Sequence, residues 1–401
     1  MLRFIHCADL HFDRSFEGLH LITDKAKELP RENEQVLYNI VELAIKESVD
    51  FLLFAGDTFH QNRPTLKTQQ QFFQQMERLN EKNIPVYVIF GNHDFYEKER
   101  YWFDFPVNVH LFKDESVQTA TGYTKDGESY AISGFSYLHP QMKQTKVGEF
   151  PQKQADYHLG MYHGDMASEN FAPFQIQEMK RKNYDYWALG HIHVPTVLSE
   201  KAAILYAGTP QGHTQKEEQT GVKLVTVNKG STTWQTKDVS AIQWKKREVS
   251  LSGIQRQKAV LDNIIASFES SEKALVKLYL KNTELLPQNW LQDREMLELL
   301  DYVNDYLEKH HFQQLVYQID IREETTSEKI TVSAEEELLE HLLATYQQQD
   351  VFFETINELI NYPQAQQALS LDQLQEESFA QMKKELKSEF SWRKLDGIKE
   401  S

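Results

Sequence analysis

The stretch Phe51-Leu52-Leu53-Phe54-Ala55-Gly56-Asp57-Thr58-Phe59-His60 reads as a buried strand that stops at a glycine and at once delivers a carboxylate and an imidazole. The same order recurs on both sides of it. Residues 2 to 7 form a short apolar run ahead of Asp9-Leu10-His11, and residues 86 to 90 run into Gly91-Asn92-His93-Asp94. Between these strands Leu37, Ile40, Val41, Ala44 and Ile45 recur at helical spacing, as do Phe72, Phe73, Met76 and Leu79. Strand, polar turn, helix, strand is the order of an α/β sandwich, whose ligands gather at the carboxyl ends of the strands. Further strands are predicted at 107–112, 130–135, 157–162, 185–189, 203–206 and 222–227, the last joined through Asn228-Lys229-Gly230 to a partner at 232–239.

The 401 residues exceed what one hydrophobic core holds, which predicts two or three domains. After residue 240 the pattern changes to strand-like 242–251, helix-like 255–269, strand-like 274–280, helix-like 288–309 and strand-like 312–322. A polar segment, 323–333, follows, and then three apolar helical stripes, exemplified by Leu338-Leu339-Leu342-Leu343, Phe352-Phe353-Ile356-Leu359-Ile360 and Leu371-Phe379-Met382-Leu386-Phe390. The expected division is therefore a first domain at 1–240, a smaller α/β domain at 241–325 and a helical region at 326–401.

The formal charge of −17 excludes a protein that coats nucleic acid with a broad basic surface, though not a local site. The charge is uneven: −8 over residues 1–200, +3 over 201–300 and −12 over 301–401. A single cysteine, Cys7, rules out an intrachain disulfide, and no apolar run approaches about 20 residues, so a cytoplasmic location without membrane contact is expected. There is no Gly-x-x-x-x-Gly-Lys-Ser/Thr loop, so the chain is not expected to hydrolyse ATP by itself.

Five motifs follow predicted strands in order: Asp9-Leu10-His11, Gly56-Asp57-Thr58-Phe59-His60, Gly91-Asn92-His93-Asp94, His163-Gly164-Asp165 and Gly190-His191-Ile192-His193. Singly each is weak; together they place carboxylate, amide and imidazole groups at successive strand ends. Two divalent ions a few Å apart need this. They repel, so a carboxylate must lie between them, with further oxygen and nitrogen ligands arriving from separate strands and open positions left for water and phosphate. Spacing of i and i+2 on extended chain would put Asp9 with His11, and His191 with His193, on one face. Ligands without thiolate suit manganese or iron better than a closed zinc site.

The ordered set resembles the calcineurin-like metallophosphoesterases, and within them the DNA repair exonucleases of the YhaO and SbcD type. The likeness covers residues 1 to about 240 and includes Tyr206-Ala207-Gly208-Thr209-Pro210-Gln211-Gly212. It implies a sandwich of two β-sheets flanked by helices, with the smaller α/β domain as a cap that orients DNA. It further implies a first metal held by Asp9, His11, Asp57 and His193 and a second by Asp57, Asn92, His163 and His191, with Asp57 as bridge and manganese as the ion. By the same likeness His93 is the general acid, with Asp94 orienting its ring, and His60 positions the phosphate. The sequence departs from the family at His213-Thr214-Gln215, where an arginine is often found.

The implied activity is metal-assisted hydrolysis of DNA: a 3′–5′ exonuclease with single-strand endonuclease action, working in DNA repair with an SMC-like ATPase of the YhaN and SbcC type. The 326–401 region is the expected docking segment, and a homodimer is compatible with the family. Lys245, Lys246 and Arg247 are the expected contacts to the DNA backbone. Two other readings stay open at this point. One is a phosphodiesterase or nucleotidase of the same fold with a small substrate; the other is a chiefly structural DNA-binding subunit of an ATPase complex.

Overall fold

In the computed structural model β1 (Leu2–Cys7), α1 (Pro30–Lys46), β2 (Phe51–Ala55), α2 (Leu66–Glu81), β3 (Val86–Ile89) and β4 (Val109–Leu111) alternate as the sequence predicts. The structure describes residues 1–17, 19, 29–269 and 273–322; the linker at 323–333 and the region 326–401 lie outside the described residues. After β4 come β5 (Gln118–Tyr123), β6 (Ser129–Gly134), β7 (Tyr157–His163), α3 (Ile176–Arg181), β8 (Tyr186–Gly190), β9 (Thr196–Ser199), β10 (Ile204–Tyr206), β11 (Val222–Asn228) and β12 (Ser231–Lys237).

These strands build two mixed six-stranded sheets, in the orders β12-β11-β1-β2-β3-β4 and β5-β6-β7-β8-β10-β9. The fold is an α/β sandwich. The central strands β2, β3 and β8 are apolar along their whole length because both faces are covered. Along β2, Phe51, Leu53 and Ala55 enter the core between the sheets, while Leu52 and Phe54 pack beneath α1 and α2. Pro30 opens α1, where a missing N–H costs nothing, and the Thr65 side chain accepts the N–H of Thr68 at 3.2 Å to cap α2.

The chain continues through β13 (Gln243–Ser250), α4 (Gln257–Ala266), β14 (Ala274–Lys281), α5 (Asp293–Lys309) and β15 (Gln314–Arg322). The three strands form a parallel sheet of their own, with Val260, Ile264, Val303 and Leu307 of the helices buried against it. The boundary expected at residue 240 falls between β12 and β13, strands of different sheets. Contacts nevertheless gather the described residues on both sides of it into one unit.

Two strands escape the sequence reading, β5 and β9. Both are edge strands, each held by one antiparallel neighbour, and their side chains are exposed or half-buried. The pattern of apolar residues that marks a central strand is therefore missing from them. The predicted helix at 288–309 resolves into a 3-10 turn, Gln288–Leu291, and then α5, because Gln292 between them is extended.

Candidate metal centre

Every residue of the expected ligand set sits at one edge of the sandwich. Asp9 and Asp57 lie two residues beyond β1 and β2, Asn92 three beyond β3, His163 closes β7, and His191 and His193 lie one and three beyond β8. Strands of both sheets thus end at the same place.

The pairing of Asp9 with His11 and of His191 with His193 does not come from extended chain, as the i, i+2 spacing suggests. Both strands have already ended there. Asp9 (φ 49°), His11 (φ 44°), Asp57 (φ 50°) and His191 (φ 104°) all have positive φ, a conformation costing a non-glycine residue about 1–3 kcal/mol. Neighbouring loops hold it in place: Asp9 N–H donates to Gly56 O at 3.1 Å and His11 N–H to Asp57 O at 3.0 Å. Both Asp9 carboxylate oxygens accept the N–H of His191, each at 3.0 Å, which ties the edge of one sheet to that of the other.

The ligand atoms converge in two groups. In the first, His11 Nε2 faces His193 Nε2 at 3.1 Å, and an Asp9 oxygen lies within 4.8 Å of a nitrogen of each. In the second, Asn92 Oδ1 lies 3.1 Å from His163 Nε2 and 3.0 Å from His191 Nδ1. Asp57 Oδ2 stands between the two, 3.8 Å from His11 Nε2 and 3.4 Å from His163 Nε2. His163 Nδ1–H donates to Ala55 O at 3.0 Å, which leaves Nε2 to face the site.

The electrostatics ask for positive charge here. Burial alone would raise Asp57, but His163, His11 and His93 overcome it and hold the carboxyl well below the usual range. Burial opposes a proton on His163, yet Asp57 beside it lifts the ring to about 9. Burial keeps His11 neutral, and burial together with His163 brings His191 down to about 4, so both offer lone pairs at neutral pH. The lone pairs of His11 and His191, and the Asp57 charge that otherwise draws a proton onto His163, fit divalent cations well.

Glycine is required where the site is tightest. A Cβ on Gly91 would lie 2.2 Å from Asp57 Oδ1 and 2.7 Å from His163 Nε2, and one on Gly56 would lie 2.3 Å from His163 Nδ1. At Gly190 it would meet Ala55 O at 2.1 Å. Only bare backbone lets the strand ends close around His163.

His93 and His60 stack beside the ligands, ring centroids 4.9 Å apart, with the His11 ring 5.0 Å from His93 and 5.3 Å from His60. Asp94 departs from the reading that it orients the His93 ring. Its Oδ1 accepts Gly91 N–H at 2.7 Å, and its Oδ2 accepts Thr58 N–H at 2.8 Å and Phe59 N–H at 3.3 Å. The carboxylate is spent on holding two loops together.

Sequence reasoning missed Glu217. Its Oε1 is 2.6 Å from His193 Nδ1 and accepts Arg14 Nη1 at 3.2 Å; burial opposes its charge, but His193 and Arg14 hold the carboxyl down to about 2. It carries no strand-end motif, and the only hint was its position just past His213, which itself lies buried with Nε2 3.0 Å from Asn33 Oδ1. The basic strip expected from Lys245, Lys246 and Arg247 is broken by strand alternation. Lys246 faces opposite to its two neighbours on β13 and pairs with Glu218, and Arg247 lies 4.9 Å over the Phe268 ring. Cys7 is buried beneath the helices, as a small core side chain.

The model of the calcineurin-like phosphoesterase family matches residues 2–195. Over 341 residues the chain is 31% identical to the metallophosphoesterase YhaO of Bacillus subtilis (strain 168), a match that covers 82% of this chain and 83% of that one. The chain belongs to the calcineurin-like phosphoesterase family. Similarity extends to the DNA double-strand break repair protein Mre11 of Thermoplasma acidophilum, 26% identical over 69% of this chain and 74% of that one. The Mre11 protein of Methanocaldococcus jannaschii is 26% identical over 48% and 51%. This is a metallophosphoesterase related to those repair proteins, and its His and Asp clusters are those of a two-metal phosphoesterase site.

Proposed function

We propose that the protein is a two-metal-dependent DNA nuclease, a 3′–5′ exonuclease with single-strand endonuclease action, working in DNA repair beside an SMC-like ATPase. The observation that carries the reading is Asp57 Oδ2 between two converging ligand groups, with Asn92 and His93 on the wall of an open cleft of about 540 Å³. Similarity to two Mre11 repair proteins supports DNA as the substrate. By the same likeness the ATPase is a partner, since this sequence has no phosphate loop of its own.

Asp9, His11, Asp57 and His193 would hold one ion and Asp57, Asn92, His163 and His191 the other, with manganese the ion that fits these ligands. Bound there, two divalent ions supply positive charge for the phosphate and acidify a water at neutral pH. The residues do the rest. His93 donates a proton to the departing sugar oxygen, and His60, stacked on it, orients the phosphate. Gln61, Asn62, Pro140, Gln141 and Phe171 complete the cleft, and Phe171 packs on the His191 ring at 4.6 Å.

The test compares labelled duplex DNA with a chromogenic phosphodiester, using purified protein and manganese. DNA shortened from its 3′ ends is expected. Turnover of the chromogenic ester with DNA untouched would leave a phosphodiesterase of small substrates instead.

A further inference from the structure

Glu217 lies outside the five motifs and beyond the residues that the family model matches, 2–195. It is 9% exposed, and donors surround it on both oxygens. Oε2 accepts His213 N–H at 2.7 Å and Thr214 N–H at 3.2 Å, while Oε1 accepts Arg14 Nη1 at 3.2 Å and faces His193 Nδ1 at 2.6 Å. A carboxylate pinned by two backbone N–H groups and a guanidinium cannot rotate away. As an acceptor only, it requires the His193 proton to be on Nδ1, which leaves the Nε2 lone pair pointing at His11 Nε2, 3.1 Å away.

We propose that Glu217 is the positioning residue of the first metal position, fixing the tautomer and ring angle of His193. The inference rests on reading His193 as a ligand. His163 is set by the same device, but with a backbone carbonyl, Ala55 O, in place of a carboxylate. The other imidazole of the first position has no such support: among the described residues nothing hydrogen-bonds His11 Nδ1. His193 is thus the one imidazole of that position with an outer partner, and losing the partner is not compensated by a neighbour. Carboxylates behind ligating histidines are typically worth 10–100-fold in metal affinity.

Glu217→Gln keeps the shape and reverses the requirement. With its oxygen left on the two backbone N–H groups, the amide NH2 faces Nδ1 and selects the tautomer protonated on Nε2, which cannot ligate. Two measurements on the full chain decide. Titration with manganese alone, followed by electron paramagnetic resonance, is expected to show two sites in the wild type and one site weakened about 10–100-fold in Glu217→Gln, the other unchanged. Nitrogen-15 spectra of histidine-labelled, metal-free protein, recorded at a pH where the ring is neutral, are expected to show His193 protonated on Nδ1 alone in the wild type and on Nε2 in the variant. Two undiminished sites in the variant, or a neutral wild-type His193 protonated on Nε2, overturn the proposal, and the second readout needs no variant to fold. His193→Ala separates the premises: if it keeps both sites, the ligand assignment itself is wrong, and if it loses one that Glu217→Gln retains, only the positioning role falls.

Discussion

Asp57 accepts the backbone N–H of His93 on Oδ1 at 2.9 Å while its Oδ2 faces His163 and His11. One carboxylate thus stands between the two ligand groups and also fixes the turn that carries the proposed acid. Alanine at this position would remove charge and hydrogen bond together. Asp57→Asn keeps an oxygen for the His93 N–H and replaces the charge and the oxygen facing the ligands with an amide NH2. The expected outcome is a folded protein that holds less than one ion per chain by elemental analysis and no longer hydrolyses phosphodiesters. Two ions still bound would remove the bridging assignment.

The His93 N–H is held by Asp57 whatever the side chain, and its ring stands against His11 and His60 without belonging to the ligand set. His93→Ala is therefore expected to leave both ions bound and DNA still associated, while turnover of DNA falls about 100-fold or more, the usual scale for a general acid. A substrate whose leaving group needs no proton should lose much less. Equal losses on the two substrates would make His93 a structural residue.

Much of this was legible because central strands and strand-end ligands leave local marks. The run at 51–55 is apolar enough to announce burial on both faces, and five motifs in order announce where the strands end. What was not legible depends on contacts between distant segments. Glu217 reaches His193 only through the folding of a turn 24 residues on, and Asp94 is drawn from the His93 ring by N–H groups of a loop 35 residues away. The edge strands β5 and β9 went unseen because an edge is defined by its partner and not by its own apolar pattern. Positive φ at Asp9, His11, Asp57 and His191 likewise leaves no local mark, because Asp and His, though enriched in that region, adopt it only in a small minority of positions.

Gly91 gives a test of how tightly the site is closed. Its φ is not in the left-handed region, so alanine fits the backbone there, and the clash with Asp57 Oδ1 and His163 Nε2 is the whole effect. Gly91→Ala is expected to keep the fold and to weaken manganese binding at least 10-fold, read by titration. Gly160→Ala is the control, since its Cβ would meet the Trp187 ring at 2.3 Å and not a ligand side chain: about 1–3 kcal/mol of stability should be lost with metal affinity retained. Unchanged metal binding in Gly91→Ala would mean that Asp57 has room to move.

His158 predicts how stability follows pH away from the metal centre. It is buried on β7, with its ring stacked on Tyr184 at 3.8 Å. Nδ1 accepts Gln154 N–H at 3.3 Å, so the ring proton is on Nε2, which donates to Ser133 Oγ at 2.8 Å. A second proton has no acceptor. Burial, with the Lys153 charge adding to it, brings the ring down to about 4, although Asp185 beside it carries a carboxylate already paired with Lys153. In the unfolded chain the ring titrates near 6.5. Between those values the unfolded state binds the proton and the folded state does not, so stability is complete above pH 6.5 and falls as pH drops toward 4. The loss is on the order of 2 kcal/mol once solvent screening is allowed for. His158→Gln removes the titration, and its unfolding free energy, measured by urea denaturation, should therefore decline less steeply than that of the wild type between pH 6.5 and 4. Parallel profiles across that window would show that the ring is protonated in the fold at no cost.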